Sequence, residues 1–167
     1  YDKSSTYICD DVVLFWQPPS IIPKWTPSRF VVDLVEYKYA EKFMMGSKAR
    51  LLGDEMALSA ILDTDDPREQ KRLGCQVRRF NSDTWQKECE YIVLRGNIAK
   101  YSQNEEMRIA LAYTSDRGLA EASLHDKMWG IGLRVSDPRA STPDTRYRKK
   151  LLGQTLEHVR NILRQEN

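Results

Sequence analysis

The sequence predicts a mainly helical α+β domain, and three observations carry that reading. Helix-start signals recur from Asp54 to Glu105, the strand-like runs are short and mostly N-terminal, and the chain closes on an amphipathic stripe. That stripe is Leu152, Leu156, Val159 and Leu163, spaced four, three and four, as one face of a helix requires. A chain of 167 residues with 41% hydrophobic and 30% charged residues is long enough for one substantial core. Residues 1–10 are polar and expected to be loosely held; 11–167 are expected to form a single domain.

The elements follow in order. Val12 to Trp16 is apolar, β-branched and aromatic, the composition of a strand. Pro18, Pro19, Pro23 and Pro27 then impose an extended loop. Phe30–Val32 and Val35–Tyr37 flank Asp33-Leu34 and predict a small hairpin. Glu41 to Leu52 has helical composition and stops near Gly53, and Asp54 can cap a second helix through Leu62. Asp66-Pro67-Arg68-Glu69 combines a capping Asp, a first-turn Pro and a Glu three residues on. Ser82 opens a longer helix through Trp85, Cys89, Ile92 and Val93. Ser102-Gln103-Asn104-Glu105 reads as another capping box, before Met107, Ile109 and Leu111. Leu119 to Ser123 fits a short strand, and Ser136 to Thr145 a loop.

Charge and composition exclude several classes. A net charge of +2 gives no reason to expect a nucleic-acid-coating surface, though a local basic cleft fits it. Cys9, Cys75 and Cys89 have no metal-ligand spacing, and His125 and His158 are too few for a histidine zinc site, so no metal is expected. No apolar run approaches the roughly 20 residues of a membrane span, and no signal-peptide pattern opens the chain. An intracellular setting, cytoplasmic or nuclear, is therefore expected. Oligomeric state is not legible.

The most suggestive chemistry lies in Tyr37, Glu41, Met44 and Lys48, which step by four, three and four. Glu41 and Lys48 are then two helical turns apart, about 10 Å along the axis. A half-buried carboxylate is what a general acid or base needs, whereas a solvated Glu beside Lys42 and Lys48 is the plainer alternative. A second segment, Glu121 to Gly132, sets Asp126 three residues before Trp129 and follows with Gly130 and Gly132. An indole beside a carboxylate suits a planar polar ligand such as a nucleobase, while a core Trp with a turn-forming Asp is the structural alternative. Trp85 is a core anchor or a ligand platform. Lys100, Gln103 and Asn104 gather a cation and two amides at a helix junction, where a phosphate is attracted.

The segments EYKYAEKFMMGSKARLLGD (36–54), DP-x3-K-x2-G (66–74), W-x11-N-x2-KYSQN (85–104), EASLHDKMWGIG (121–132) and LLGQTLEHVR (151–160) together resemble the NADAR/YbiA-like family. The resemblance runs from about Phe15 to Arg160, with five motifs in the family's order. It implies an α+β fold and N-glycosidase chemistry at a ribose C1, with no cofactor. It implies ribosylamino-pyrimidine phosphates or ADP-ribose on guanine as substrates. The partner is then a nucleotide-like small molecule or an ADP-ribosylated guanine, free or within nucleic acid. By the motif match, Glu41 and Asp126 would be the catalytic carboxylates, and Lys48 would lie near the sugar or phosphate. Trp85, Trp129, Gly130, Lys100, Gln103 and Lys24 would line the substrate.

Three positions depart from the family pattern. Ile21-Ile22-Pro23-Lys24-Trp25 replaces a segment that is often Pro-Phe-Ser-Asn/Gln-Trp, Cys75 replaces a common Arg, and Lys150 a common Asn. Lys24, Lys48, Lys100 and Lys150 all fall in or beside motif segments. Point charges of this kind suit phosphate, and a diphosphate such as ADP-ribose best. The competing expectation is a module that holds ADP-ribose or a nucleotide without cleaving it.

Overall fold

The computed structural model describes residues 6–8, 12–15, 28–121 and 151–166. It forms two compact units, one of residues 27–104 and one joining residues 1–26 to 105–167.

The first unit opens with β3 (Phe30–Val32) and β4 (Val35–Tyr37), following β1 (Thr6–Ile8) and β2 (Val12–Phe15) of the other unit. β3 and β4 pair antiparallel, with Phe30 opposite Tyr37. The hairpin lies where the turn chemistry predicts it. Its tip is strained, because Asp33 and Leu34 have φ of 51° and 67°. Two positive φ values at the centre of a two-residue turn follow the right-handed twist of the strands, but that pattern favours Asn-Gly or Asp-Gly. Leu34 is 99% exposed, so no packing offsets its strain. A left-handed non-glycine residue costs about 1–2 kcal/mol, and the extra unfolded-state freedom of Gly about 0.5–1 kcal/mol. Leu34→Gly is therefore expected to stabilise the protein by about 0.5–1 kcal/mol, read as a raised urea midpoint. An unchanged or lowered midpoint would contradict the strain.

The hairpin's inner face packs on α1 (Ala40–Leu51) through three rings. Phe30 stacks on Tyr37 at 5.6 Å, and Phe43 meets both edge-on, at 6.3 and 5.3 Å. Such edge and offset contacts add to the burial of the rings. α1 is the hub of this unit and packs against α2 (Glu55–Asp63), α3 (Pro67–Cys75) and α4 (Ser82–Gln103). Being covered on several sides, it buries residues 40–46 and Ala49 rather than a single stripe. Its end is fixed by Gly53, whose φ of 73° lets the Gly53 and Asp54 N–H groups reach back to the Arg50 and Ala49 carbonyls. Asp54 then caps α2 by accepting from Ala57 N, and Asp66 caps α3 from Arg68 N, as their sequence signals predict.

The long helix opens at Ser82 as expected and runs to Gln103, capped by Asn81, which accepts from Asp83 N and Thr84 N. The expectation at its far end is corrected. Ser102 forms no capping box: it lies inside the last turn of α4, and its hydroxyl donates back to Ala99 O. Asn104 closes that end instead, donating to Lys100 O and Arg29 O.

In the second unit, β2 lies between β1, antiparallel, and β5 (Gly118–Glu121), parallel. β1 falls within the segment expected to be loose, and Thr6 to Ile8 pair with Phe15 to Val13. α5 (Glu105–Tyr113) and α6 (Leu151–Gln165) complete this unit. The predicted stripe Leu152, Leu156, Val159, Leu163 is buried. α6 and β5 approach closely at Gly153, where an added Cβ would come within 1.8 Å of Leu119 O and 2.6 Å of its carbonyl carbon. The obstacle is backbone, and that backbone is tied down: Leu119 N donates to Glu157 Oε1 at 2.7 Å. Gly153→Ala is expected to destabilise by about 1–3 kcal/mol, measured by chemical denaturation. A neutral result would mean that α6 can lift off β5 at little cost.

Ser136 to Thr145, with Asp126, Trp129, Gly130, Lys24 and Lys150, lies outside the described residues.

Candidate active site

Glu41 is two residues past Tyr39, the N-cap of α1, which offers no side-chain cap. The carboxylate therefore lies at the positive end of the helix dipole, where its charge is favoured. It is only 1% exposed, so the solvated alternative is set aside. Burying a carboxylate is costly unless the surroundings compensate, and among the described acids only Asp54, the cap of α2, is buried as well. The local sequence explains how it is buried: Ala40, Phe43, Met44 and Met45 carry α1 into the core, and Glu41 is drawn in with them. Tyr37, the first member of the sequence stripe, belongs to β4 rather than to the helix.

Lys48 follows two turns later on the same stripe and is half-buried. Burial pulls its pKa down, while the charges of Cys75 and Glu41 push it back up. The ammonium also lies 4.8 Å from the ring centroid of Phe80 and 5.4 Å from that of Trp85. Thus α1 supplies Glu41 and Lys48, the end of α3 supplies Cys75, the segment before α4 supplies Phe80, and the start of α4 supplies Trp85. Neighbouring Lys42 faces elsewhere, its Nζ donating to Asp65 Oδ1 at 3.0 Å.

Other expected ligand residues have different surroundings. Lys100 is 0% exposed, and its ammonium lies 5.5 Å from the Tyr101 ring centroid. Burial pushes its pKa down to about 7. Gln103 engages β3 with its carboxamide: Val31 N donates to Oε1 at 2.7 Å, and Nε2 donates to Val31 O at 2.9 Å. It acts as a one-residue surrogate strand on the open edge of β3. Asp126, Trp129, Gly130 and Lys24 fall outside the described residues, so their distances from Glu41 are not defined. Sequence reasoning singled out Glu41, Lys48 and Trp85 but passed over Phe80 and treated Cys75 only as a departure. The missed signal was positional, since Phe80 and Trp85 bracket the Asn81 cap.

The fold and this cluster define a class: a mixed α+β protein that buries a carboxylate beside a half-buried lysine and aromatic rings, without a described His/Cys/Asp/Glu group suited to a metal. The model of the NADAR domain matches residues 14–164, and the chain belongs to that family. A curated N-glycosidase of Acanthamoeba polyphaga mimivirus is 36% identical over 146 residues, covering 84% of this chain and 85% of the relative. Protein irg-1 of Caenorhabditis elegans is 30% identical, covering 96% and 85%. An N-glycosidase of Nostoc punctiforme is 26% identical, covering 89% and 90%. The NMR structure of the Escherichia coli protein YbiA superposes with a TM-score of 0.77 at 20% identity, covering 98% of this chain and 91% of that one, which establishes the shared fold. The family and its named relatives make this chain an enzyme of the N-glycosidase type. No described helix is long and apolar enough to cross a membrane.

Proposed function

We propose that the chain hydrolyses the bond between a base nitrogen and C1 of a ribose, with ADP-ribosylated guanine as the favoured substrate. The observation that carries this reading is the buried Glu41 carboxylate, with Lys48 close enough for the two charges to act on each other. Breaking the C1–N bond leaves positive charge on C1 and the ring oxygen. A fixed carboxylate stabilises that charge and orients the water that adds to C1. The base departs with the bonding electrons and takes up a proton; the sugar gains the hydroxyl. Glu41 is the group assigned to this task. Asp126 would hold the ribose hydroxyls or share proton transfer, and Trp129 would enclose the base with Trp85. Lys48 would lie against the sugar or phosphate.

The preference for an ADP-ribosyl substrate rests on lysine placement in the motif segments. Lys48 is the strongest support, being half-buried beside Glu41; Lys100 has no exposed surface and contributes least.

The test is turnover. The protein is incubated with an ADP-ribosyl-guanine substrate, as nucleoside and as oligonucleotide, and with a ribosylamino-pyrimidine phosphate. Free base and reducing sugar are then measured. Release from the guanine substrate supports the proposal, and release from the pyrimidine alone moves the activity to riboflavin-type intermediates. Binding of ADP-ribose without turnover of either replaces the hydrolase with a binding module. In competition, ADP-ribose should bind more tightly than ribose 5-phosphate, with a preference that shrinks as salt rises.

A further inference from the structure

Because Asn81 caps α4, Phe80 is the residue before the cap and Trp85 the fourth residue of the helix. Apolar residues at these two positions ordinarily pack on each other and fix the angle at which the chain enters the helix. Here both rings approach one ammonium, Nζ of Lys48, at 4.8 and 5.4 Å. Phe80 is 52% exposed, so burial alone does not hold its ring. The backbone on either side does. Arg79 adopts a φ of 57°, a left-handed conformation unfavourable for a residue with a Cβ. Arg78 N donates to Asp54 Oδ2 at 2.8 Å, while the other oxygen of that carboxylate caps α2. The segment presenting Phe80 is thus anchored by Asp54 before it and Asn81 after it.

We propose that Phe80 is a positioning residue for Lys48, forming with Trp85 an aromatic clamp that aims the ammonium at the substrate beside Glu41. The attraction between an ammonium and a ring face strengthens as water is excluded. It also restrains a side chain that otherwise has many rotamers. Cys75 and Glu41 are the titratable groups whose charges act on the same ammonium, from α3 and from α1. The clamp holds Lys48 against the ring faces, and the pull of Glu41 holds it toward the reacting sugar. This inference rests on the reading of the Glu41 pocket as the substrate site.

A double-mutant cycle on the full chain tests it. Phe80→Leu keeps an apolar side chain before the cap and removes the ring face. It is expected to lower kcat/KM about tenfold. Phe80→Trp restores the rate to within about twofold, and Phe80→Leu costs nothing further in a Lys48→Met background. Effects that simply multiply, or wild-type kcat/KM for Phe80→Leu, overturn the proposal. The Lys48 ε-methylene NMR signal, identified by its loss in Lys48→Met, gives a readout free of catalysis. It should be ring-shifted upfield in the wild type and move part of the way back toward the ordinary lysine position in Phe80→Leu, where Trp85 remains. An unshifted wild-type signal overturns the clamp. A shifted signal in a protein that turns over no N-riboside supports the clamp and removes only the hydrolase reading.

Discussion

Glu41→Gln is expected to fold like the wild type and to lose turnover by a hundred- to several-thousand-fold, equivalent to about 3–5 kcal/mol of transition-state stabilisation. Gln preserves the volume of the side chain, so the packing of α1 is retained. It also preserves an oxygen that can accept a hydrogen bond. What it removes is the negative charge, and that charge matters most when C1 becomes positive. The burial of Glu41 raises the expected effect, because water does not screen the interaction. Removing the acid also leaves Lys48 without a charge that favours its ammonium form. Single-turnover rates with the guanine substrate, beside a thermal unfolding curve, check the prediction. Near-wild-type turnover by a folded Glu41→Gln protein would remove Glu41 from the reaction.

Much of the fold was legible where local chemistry decides structure. The β3–β4 hairpin, the α1 stop at Gly53 and the caps at Asp54 and Asp66 each depend on a few adjacent residues, and the structure places them as those residues dictate. The α6 stripe was legible because one helix face packs on a sheet. Legibility failed where a distant partner decides. Gln103 is matched to the edge of β3, 72 residues away, and its amide therefore extends α4 past the point where Ser102 suggested a new start. β1 has no strong pattern of its own and is defined by pairing with β2. The same division holds in the site. Helical spacing aligned Glu41 with Lys48, but spacing alone left a solvated Glu41 open, and the tertiary fold decides for burial. Cys75 and Phe80 reach Lys48 from separate elements, and only the tertiary arrangement makes them its neighbours.

The wild-type protein is expected to gain stability relative to Lys100→Met as pH rises from 7.5 to 9.5, by about 1.4 kcal/mol per pH unit and about 2–3 kcal/mol in all. Lys100 has no exposed surface, and burial holds its pKa near 7, against 10.5 for the ordinary side chain. In that window the folded protein carries Lys100 largely neutral, whereas the unfolded chain still binds the proton. The unfolded state therefore binds more protons, and raising the pH favours the folded state. Below about pH 7 both states are protonated and the slope vanishes. The comparison with Lys100→Met is needed because other groups titrate nearby. Lys48, also lowered by burial, adds a slope of the same sign. The buried Cys89 thiol and Tyr101 hydroxyl, both raised by burial, oppose it at higher pH. These contributions are common to both proteins and cancel in the difference. Met approximates the length of the lysine stem without its charge, so the stability of Lys100→Met relative to the wild type is expected to fall as pH rises toward 9.5. Urea unfolding of both proteins at half-unit pH intervals measures the difference directly. A flat difference would show that Lys100 keeps its proton inside the fold throughout this range, and a falling one would reverse the sign of its burial effect.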